Sequence, residues 1–254
     1  MSPQDPAGDT AVTRADVFAT THWSVVLAAG VGPCPAADEA LEKLCRTYWH
    51  PLYVFVRRRG YGPEDAEDLT QQFFARFLEK QYFGHADPAR GRFRTFLLRS
   101  LEHFLVNEWK HAHRLKRGGG VALFSLDVTG AEQQPAGVVA VGATPEQAYE
   151  RRWALLLLDR ALESVREEYA TSQRLREFEE LAGRIWGKDG GLCYAEIGTR
   201  LGLSESAARG AMHRLRQRYR ERLRSEVAQT VMHYTDVDDE LRHLLRVVSD
   251  GGSQ

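Results

Sequence analysis

The chain has 254 residues, 43% of them apolar and 27% charged, with a formal net charge of −1, which suits soluble cores in one large or two small domains. Its longest purely aliphatic stretch is Leu155 to Leu158, far short of the roughly 20 apolar residues that cross a bilayer, and the start has neither the basic residues nor the apolar core of a signal peptide. Three scattered cysteines, Cys34, Cys45 and Cys193, argue for reduced thiols in a cytoplasm and against a disulfide frame or a zinc site.

A net charge near zero conceals a marked segregation. Between Arg90 and Arg117 there are eight Arg/Lys against two acids, Glu102 and Glu108. Between Arg209 and Arg224 there are seven Arg against one acid, Glu221. The compensating acids sit in 64–68 and in 236–240. Nucleic-acid binding responds to the local field, so two basic stripes are compatible with a neutral total.

In chain order, residues 1–20 carry Pro, Gly and Asp without apolar period and read as a flexible N-terminus. Helical periodicity then covers most of 21–117, a first domain. Gly62-Pro63-Glu64-Asp65-Ala66-Glu67-Asp68 opens a helix with Pro early and acids in the first turn, in keeping with the helix dipole. Ala66, Leu69, Phe73 and Phe77 face one way and Glu64, Asp68, Gln71 and Ala75 the other, with Phe74 and Leu78 on the shoulder. An acidic face rimmed by apolar side chains fits a basic protein partner; an ordinary capped surface helix fits it too, and periodicity alone favours the latter.

Phe96 to about Arg114 forms a second split helix. Leu97, Leu101, Phe104 and Leu105 make the apolar arc, while Arg99, His103, Asn107, Lys110 and Arg114 line another side. The preceding Arg90-Gly91-Arg92-Phe93-Arg94-Thr95-Phe96 mixes Arg with aromatics. Arg neutralises phosphate and Phe stacks on unpaired bases, the combination expected for single strands. Phe93 and Phe96 serve equally well as core anchors at a helix start.

Gly118-Gly119-Gly120 ends this helix, and 118–144, rich in Gly, Ala, Val and Pro, reads as an inter-domain linker. Thr144-Pro145-Glu146 starts the second domain, 145–224, with an N-cap, a Pro at N1 and a first-turn acid. Its most specific segment runs from Tyr194 to Arg209. A short helix with Ile197 and Leu201 inward meets Gly202, which supplies the positive φ of a tight helical turn. Leu203 is expected to plug the core and Ser204 to cap the next helix. Gly198 departs from the usual Ala and costs about 1 kcal/mol within a helix.

On that next helix Ala208, Met212, Leu215 and Tyr219 form one stripe; Ser206, Arg209, His213, Arg216 and Arg220 lie opposite. A solvated basic face would show the same pattern. The Gly202 turn and Ser204 cap favour a helix-turn-helix whose second helix enters the major groove. The expected fold is all-α: two small helical domains joined by a flexible linker, the second ending in a helix-turn-helix. An extension, 225–254, adds an amphipathic helix with Leu241, Leu244, Leu245 and Val248, expected to pack on its own domain.

These segments, in this order, resemble the extracytoplasmic-function sigma factors of RNA polymerase. Asp65-Ala66-Glu67-Asp68-Leu69-Thr70-Gln71-Gln72-Phe73-Phe74 is similar to the family's Asp-x-Glu-Asp-Leu-x-Gln-x-x-Phe signature. Phe93 to Arg117 is similar to its aromatic-Leu opening and basic helix, and Met212-His213-Arg214-Leu215-Arg216 to its Leu-His-Arg-Ala-Arg ending. The resemblance covers roughly Leu41 to Arg224. It implies that Asp65, Asp68, Leu69, Gln71 and Phe74 bind the clamp coiled coil of core polymerase. It implies that Arg92, Phe93, Arg94, Phe96, Arg99, His103, Asn107, Lys110 and Arg114 capture and melt the downstream promoter element. Ser206, Arg209, Gly210, His213, Arg214, Arg216 and Arg220 would then read the upstream element.

His103 stands where the family usually has Asn, and Asn107 where Asp is common. Ala207 and Ala211 replace a frequent Thr and Arg, which bears on single base contacts. The implied partners are core polymerase, duplex and melted promoter DNA and, as a further candidate, an anti-sigma factor; no cofactor, metal or catalysis is expected. Two rivals remain. Glu108-x-x-His111 and Glu240-x-x-His243 have the spacing of di-metal carboxylate bundles, though Arg and Lys flank both. A helix-turn-helix regulator that never binds polymerase would explain the second domain but not the first.

Overall fold

The computed structural model describes residues 35–80, 82, 92–116, 142–185, 194–231 and 233–250. The expected flexible N-terminus, 1–20, and most of the expected linker, including Gly118 to Gly120, lie outside the described residues. Eight α-helices order the rest: α1 Pro35–Arg58, α2 Pro63–Glu79, α3 Phe93–Lys116, α4 Pro145–Thr171, α5 Leu175–Ala182, α6 Tyr194–Leu201, α7 Glu205–Ala228 and α8 Val237–Asp250, with a 3-10 turn Tyr234–Asp236 leading into the last. The described residues are all-α, as the periodicity predicts.

The start of α4 follows from its sequence. Thr144 has extended backbone and its hydroxyl accepts from Gln147 N at 3.2 Å, while Thr144 N donates to Gln147 Oε1 at 2.9 Å. This closes a capping box, with Pro145 at N1 where no donor is missed. The helix ends where Gln173 takes φ 57. Arg174 N then donates to Tyr169 O at 2.7 Å and Gln173 N to Ala170 O at 3.0 Å. That is a Schellman ending with Gln in the place Gly usually holds.

α4 is the spine of the molecule. Ala148, Tyr149, Trp153, Ala154, Leu157, Leu158, Ala161, Val165 and Tyr169 are all buried along it. Its first half packs against α1 and its second against α7 and α5, and α8 lies across α4 and α7. The apolar core is therefore continuous across the predicted 118–144 linker: Leu44, Tyr48 and Phe55 of α1 belong to the same cluster as Leu215 and Leu223 of α7. Each large side chain so buried contributes about 1.5–3 kcal/mol. α2 and α3 close on α1 through Phe73, Phe77, Phe93, Leu97 and Phe104, with Phe73 and Phe104 edge-to-face at 5.8 Å.

Candidate nucleic-acid interface

The helix-turn-helix is built from three local devices. Gly202 adopts φ 68, a conformation that costs an L-residue roughly 1–2 kcal/mol and glycine almost nothing. Ser204 is the N-cap of α7, its hydroxyl accepting from Ala207 N at 3.2 Å. Gly198 is a steric requirement rather than a plain cost. A Cβ built on it would lie 2.6 Å from Leu203 O, because the turn folds back so that Leu203 N donates to Gly198 O at 2.7 Å. Leu203 does not plug the core: it is 39% exposed, since that backbone contact turns its side chain outward, and Ile197 and Ala208 fill the space below the turn instead.

Ala208, Ala211, Met212, Leu215, Tyr219 and Leu223 bury one side of α7. Ser206, Arg209, His213, Arg214 and Arg220 are exposed on the other side. Arg209 is held in place without being hidden. Its guanidinium donates to Glu205 Oε1 at 2.6 Å from Nη2 and lies 5.0 Å from the centroid of the Tyr194 ring. Its side chain keeps 62% of its surface open. Gly210 is half-buried. Arg214 extends back along the helix to it, with Nη1 3.4 Å from where a Cβ on Gly210 would sit. Arg216 behaves differently from its neighbours: Nη2 donates to Arg184 O at 3.0 Å, so it ties α7 to the end of the α5 segment from a half-buried position.

On α3, Leu97, Leu101, Phe104 and Leu105 are buried and Arg99, His103, Asn107 and Lys110 are exposed in a row. Arg114 lies on the last turns of the helix, its side chain outside what is described. The segment leading into α3 departs from the expectation of an open binding strip. Phe93 is fully buried, its ring 5.5 Å from Tyr48, because it anchors the start of α3 in the core. Phe96 is half-buried, 6.2 Å from Phe93 and 6.1 Å from Phe77.

Arg94 is buried as well. Its Nε lies 2.8 Å from Glu150 Oε2, its Nη1 pairs with Glu240, and its guanidinium stacks on Trp153. Arg92 Nε lies 2.8 Å from Glu240 Oε2 but remains partly open to solvent. Of this group, Arg92, Arg99, His103, Asn107 and Lys110 present polar surface; Phe93 and Arg94 do not.

On α2, Asp65, Asp68 and Gln71 are exposed and Leu69 is half-buried at their edge. Phe74 is buried, only 6% exposed and 5.5 Å from Phe73. Packing among the rings pulls this shoulder position into the core and leaves Leu78, at 38%, as the open apolar side chain.

Trp109 carries little signal in the sequence. It is 55% exposed beside Lys110 and borders a cavity of about 380 Å³ lined also by Arg59, Tyr61, Glu102, Leu105 and Val106. Its only signal was a large aromatic on the polar side of a basic helix. Nothing in the local sequence marks Glu150 and Glu240 as partners of Arg94. In the two Glu-x-x-His segments, the Glu240 carboxylate pairs with Arg92 and Arg94, and the Glu108 carboxylate pairs with Arg76. Among the described residues no group of three His, Cys, Asp or Glu is placed to hold a metal ion, and no helix is long and apolar enough to cross a membrane. Burial pushes the half-buried Cys45 thiol up to about 11, which leaves it a poor nucleophile near neutrality.

Residues 37–225 match a family model described as ECF sigma factor. The ECF RNA polymerase sigma factor SigE of Mycolicibacterium smegmatis is 28% identical over 196 residues, covering 77% of this chain and 66% of the relative. The chain thus spans just under two thirds of that relative's length. No solved structure matches the chain significantly.

Proposed function

We propose a division of labour among three surfaces, and proceed from one fact: the chain belongs to the ECF sigma factor family. The exposed acids of α2, Asp65 and Asp68 with Gln71 and Leu69 beside them, bind core RNA polymerase. The outer face of α7, led by Arg209 and His213 with Ser206, Arg214 and Arg220 around them, holds the upstream promoter element as duplex. The row Arg99, His103, Asn107 and Lys110 on α3, extended by Arg92 and Arg114, holds the downstream element with its strands separated. Arg216 acts from behind, keeping α7 seated.

The observation that carries this reading is the separation of sign between surfaces that the fold leaves open. Exposed carboxylates line one helix, and exposed donors line two others whose opposite sides are largely apolar. Donors three and four positions apart, on one face of a capped helix, suit guanine edges and phosphates of the major groove. A basic row without a matching groove-reading turn suits a backbone already pulled away from its partner strand. Unstacking a base costs a few kcal/mol, and phosphate contacts along α3 offset it. RNA synthesis itself belongs to the polymerase.

The test is a pull-down of core polymerase with the full chain, followed by run-off transcription on genomic fragments. Asp68→Lys is expected to abolish association while leaving thermal unfolding unchanged. Association that survives this charge reversal removes α2 from the assignment. Duplex binding with no polymerase association in the unaltered chain would favour a regulator that acts on DNA alone.

A further inference from the structure

Glu240 lies far along the chain from the two arginines it binds, and its side chain is 1% exposed. One of its oxygens lies 2.8 Å from Arg92 Nε, an ion pair without hydrogen-bond geometry, and the other accepts from Arg94. One carboxylate thus bridges two guanidinium groups two residues apart at the head of α3. That is the arrangement by which a backbone phosphate is held between neighbouring arginines.

We infer that α8 is an intramolecular competitor for nucleic acid, its Glu240 standing where a strand phosphate would sit on Arg92. The inference rests on the strand-holding role proposed for the head of α3. α8 is fastened on both sides of this contact. Val237 and Leu244 are fully buried, Arg224 Nη1 reaches Asp238 Oδ1 at 2.5 Å, and His243 Nε2 lies 3.0 Å from Glu150 Oε2.

The charged groups at the junction are Arg92 and Arg94 from the α3 segment, Glu150 from α4, and Glu240 and His243 from α8. Among the described residues, two arginines therefore face two carboxylates, so the arginine charge is offset while α8 is seated. The fastening is not uniform. Arg94 keeps Glu150 and the Trp153 ring whatever α8 does, whereas Glu240 is the acid that Arg92 faces here. Displacement of α8 consequently frees Arg92 first. The extension therefore withholds part of the strand-binding surface from free protein until polymerase or DNA displaces it.

The test is fluorescence anisotropy of a short fluorescein-labelled single-stranded oligonucleotide of mixed sequence, titrated with the full chain over a range of salt. Glu240→Gln is expected to tighten binding by about tenfold, and to steepen the salt dependence by about 0.7 in log–log slope for the release of Arg92. Arg92→Ala in the Glu240→Gln background is expected to remove most of the gain. Because Glu240 is buried, His243→Ala serves as a milder variant that loosens α8 from Glu150 at a partly open position. It is expected to tighten binding by about threefold, and affinity equal to the unaltered chain would overturn the inference. Unchanged affinity in a folded Glu240→Gln, with Arg92→Ala weakening binding in the unaltered chain, defeats the competitor role alone. No effect of Arg92→Ala in either background defeats the strand-holding role and the competitor with it. A gain that Arg92→Ala fails to reverse reflects lost negative charge and overturns the assignment as well.

Discussion

The guanidinium carbon of Arg94 lies 4.1 Å from the centroid of the Trp153 ring, and this contact joins the head of α3 to the spine helix α4. Around it, Glu150 and Glu240 take the guanidinium nitrogens, and the Tyr149 hydroxyl donates to Arg94 O at 3.0 Å. A cation so enclosed is worth little against an apolar replacement of equal volume, but its removal strands two carboxylates. Arg94→Ala should therefore destabilise the fold by about 3–5 kcal/mol, whereas Arg92→Ala, at a partly open position, should cost no more than about 1 kcal/mol. Denaturant titration of the two variants checks this, and equal losses would mean that Glu240 is held chiefly by Arg92.

The turn of the helix-turn-helix gives a prediction that runs against helix propensity. Replacing Gly by Ala within a helix ordinarily gains about 1 kcal/mol. At Gly198 the new Cβ meets Leu203 O at 2.6 Å, a backbone atom that cannot rotate away. Gly198→Ala should therefore destabilise by about 1–3 kcal/mol, the usual range for overpacking, and shift the turn that aims α7. Ser204→Ala should cost about 1 kcal/mol through the lost cap. Thermal unfolding of both variants decides it; a stabilised Gly198→Ala would show that the turn relaxes freely.

What could be read from the sequence divides along physical lines. The caps at Thr144 and Ser204, the positive φ of Gly202 and the buried stripes of α3 and α7 depend on residues within a few positions of one another, so local pattern reveals them. Arg94 and Glu240 are separated by 146 positions. An acid in the first turn of an amphipathic helix reads as a favourable dipole partner, and nothing local marks it as a buried counter-ion. Phe74 and Leu78 share a shoulder of α2, and only the rings packed beside them decide that one is buried and the other open. Gly198 fails for a related reason: the atom that forbids a side chain there lies across a turn, beyond the helix that sets its propensity.

His50 offers a pH-dependent readout of the α1–α4 seam. Its Nδ1 accepts from Arg152 Nε at 3.0 Å, and burial, aided by the Arg152 charge, holds its pKa below the usual histidine value of 6.5. The unfolded chain therefore binds the proton at a higher pH than the folded chain. Stability from this group is complete above about 6.5 and is lost as pH falls from there through the folded value. The unfolding temperature should drop between pH 7.5 and pH 5, and His50→Gln should reduce that drop. An identical drop in the variant would assign the pH dependence to other groups.

Arg209 separates base reading from phosphate holding on α7. The Glu205 carboxylate and Tyr194 ring fix its guanidinium near the head of the helix, where a groove-bound helix meets base edges first. A rigid bidentate donor loses little entropy on binding and discriminates a guanine by about 1–3 kcal/mol. Arg209→Ala should weaken binding to the upstream element by that amount and to random duplex by much less, while Arg220→Ala, further along α7, should weaken both alike and flatten the salt dependence by about 0.9 in slope. Electrophoretic mobility shifts on matched and scrambled duplexes measure the difference. Equal losses for Arg209→Ala on the two duplexes would reduce it to a phosphate contact and move sequence reading to His213 and Arg214.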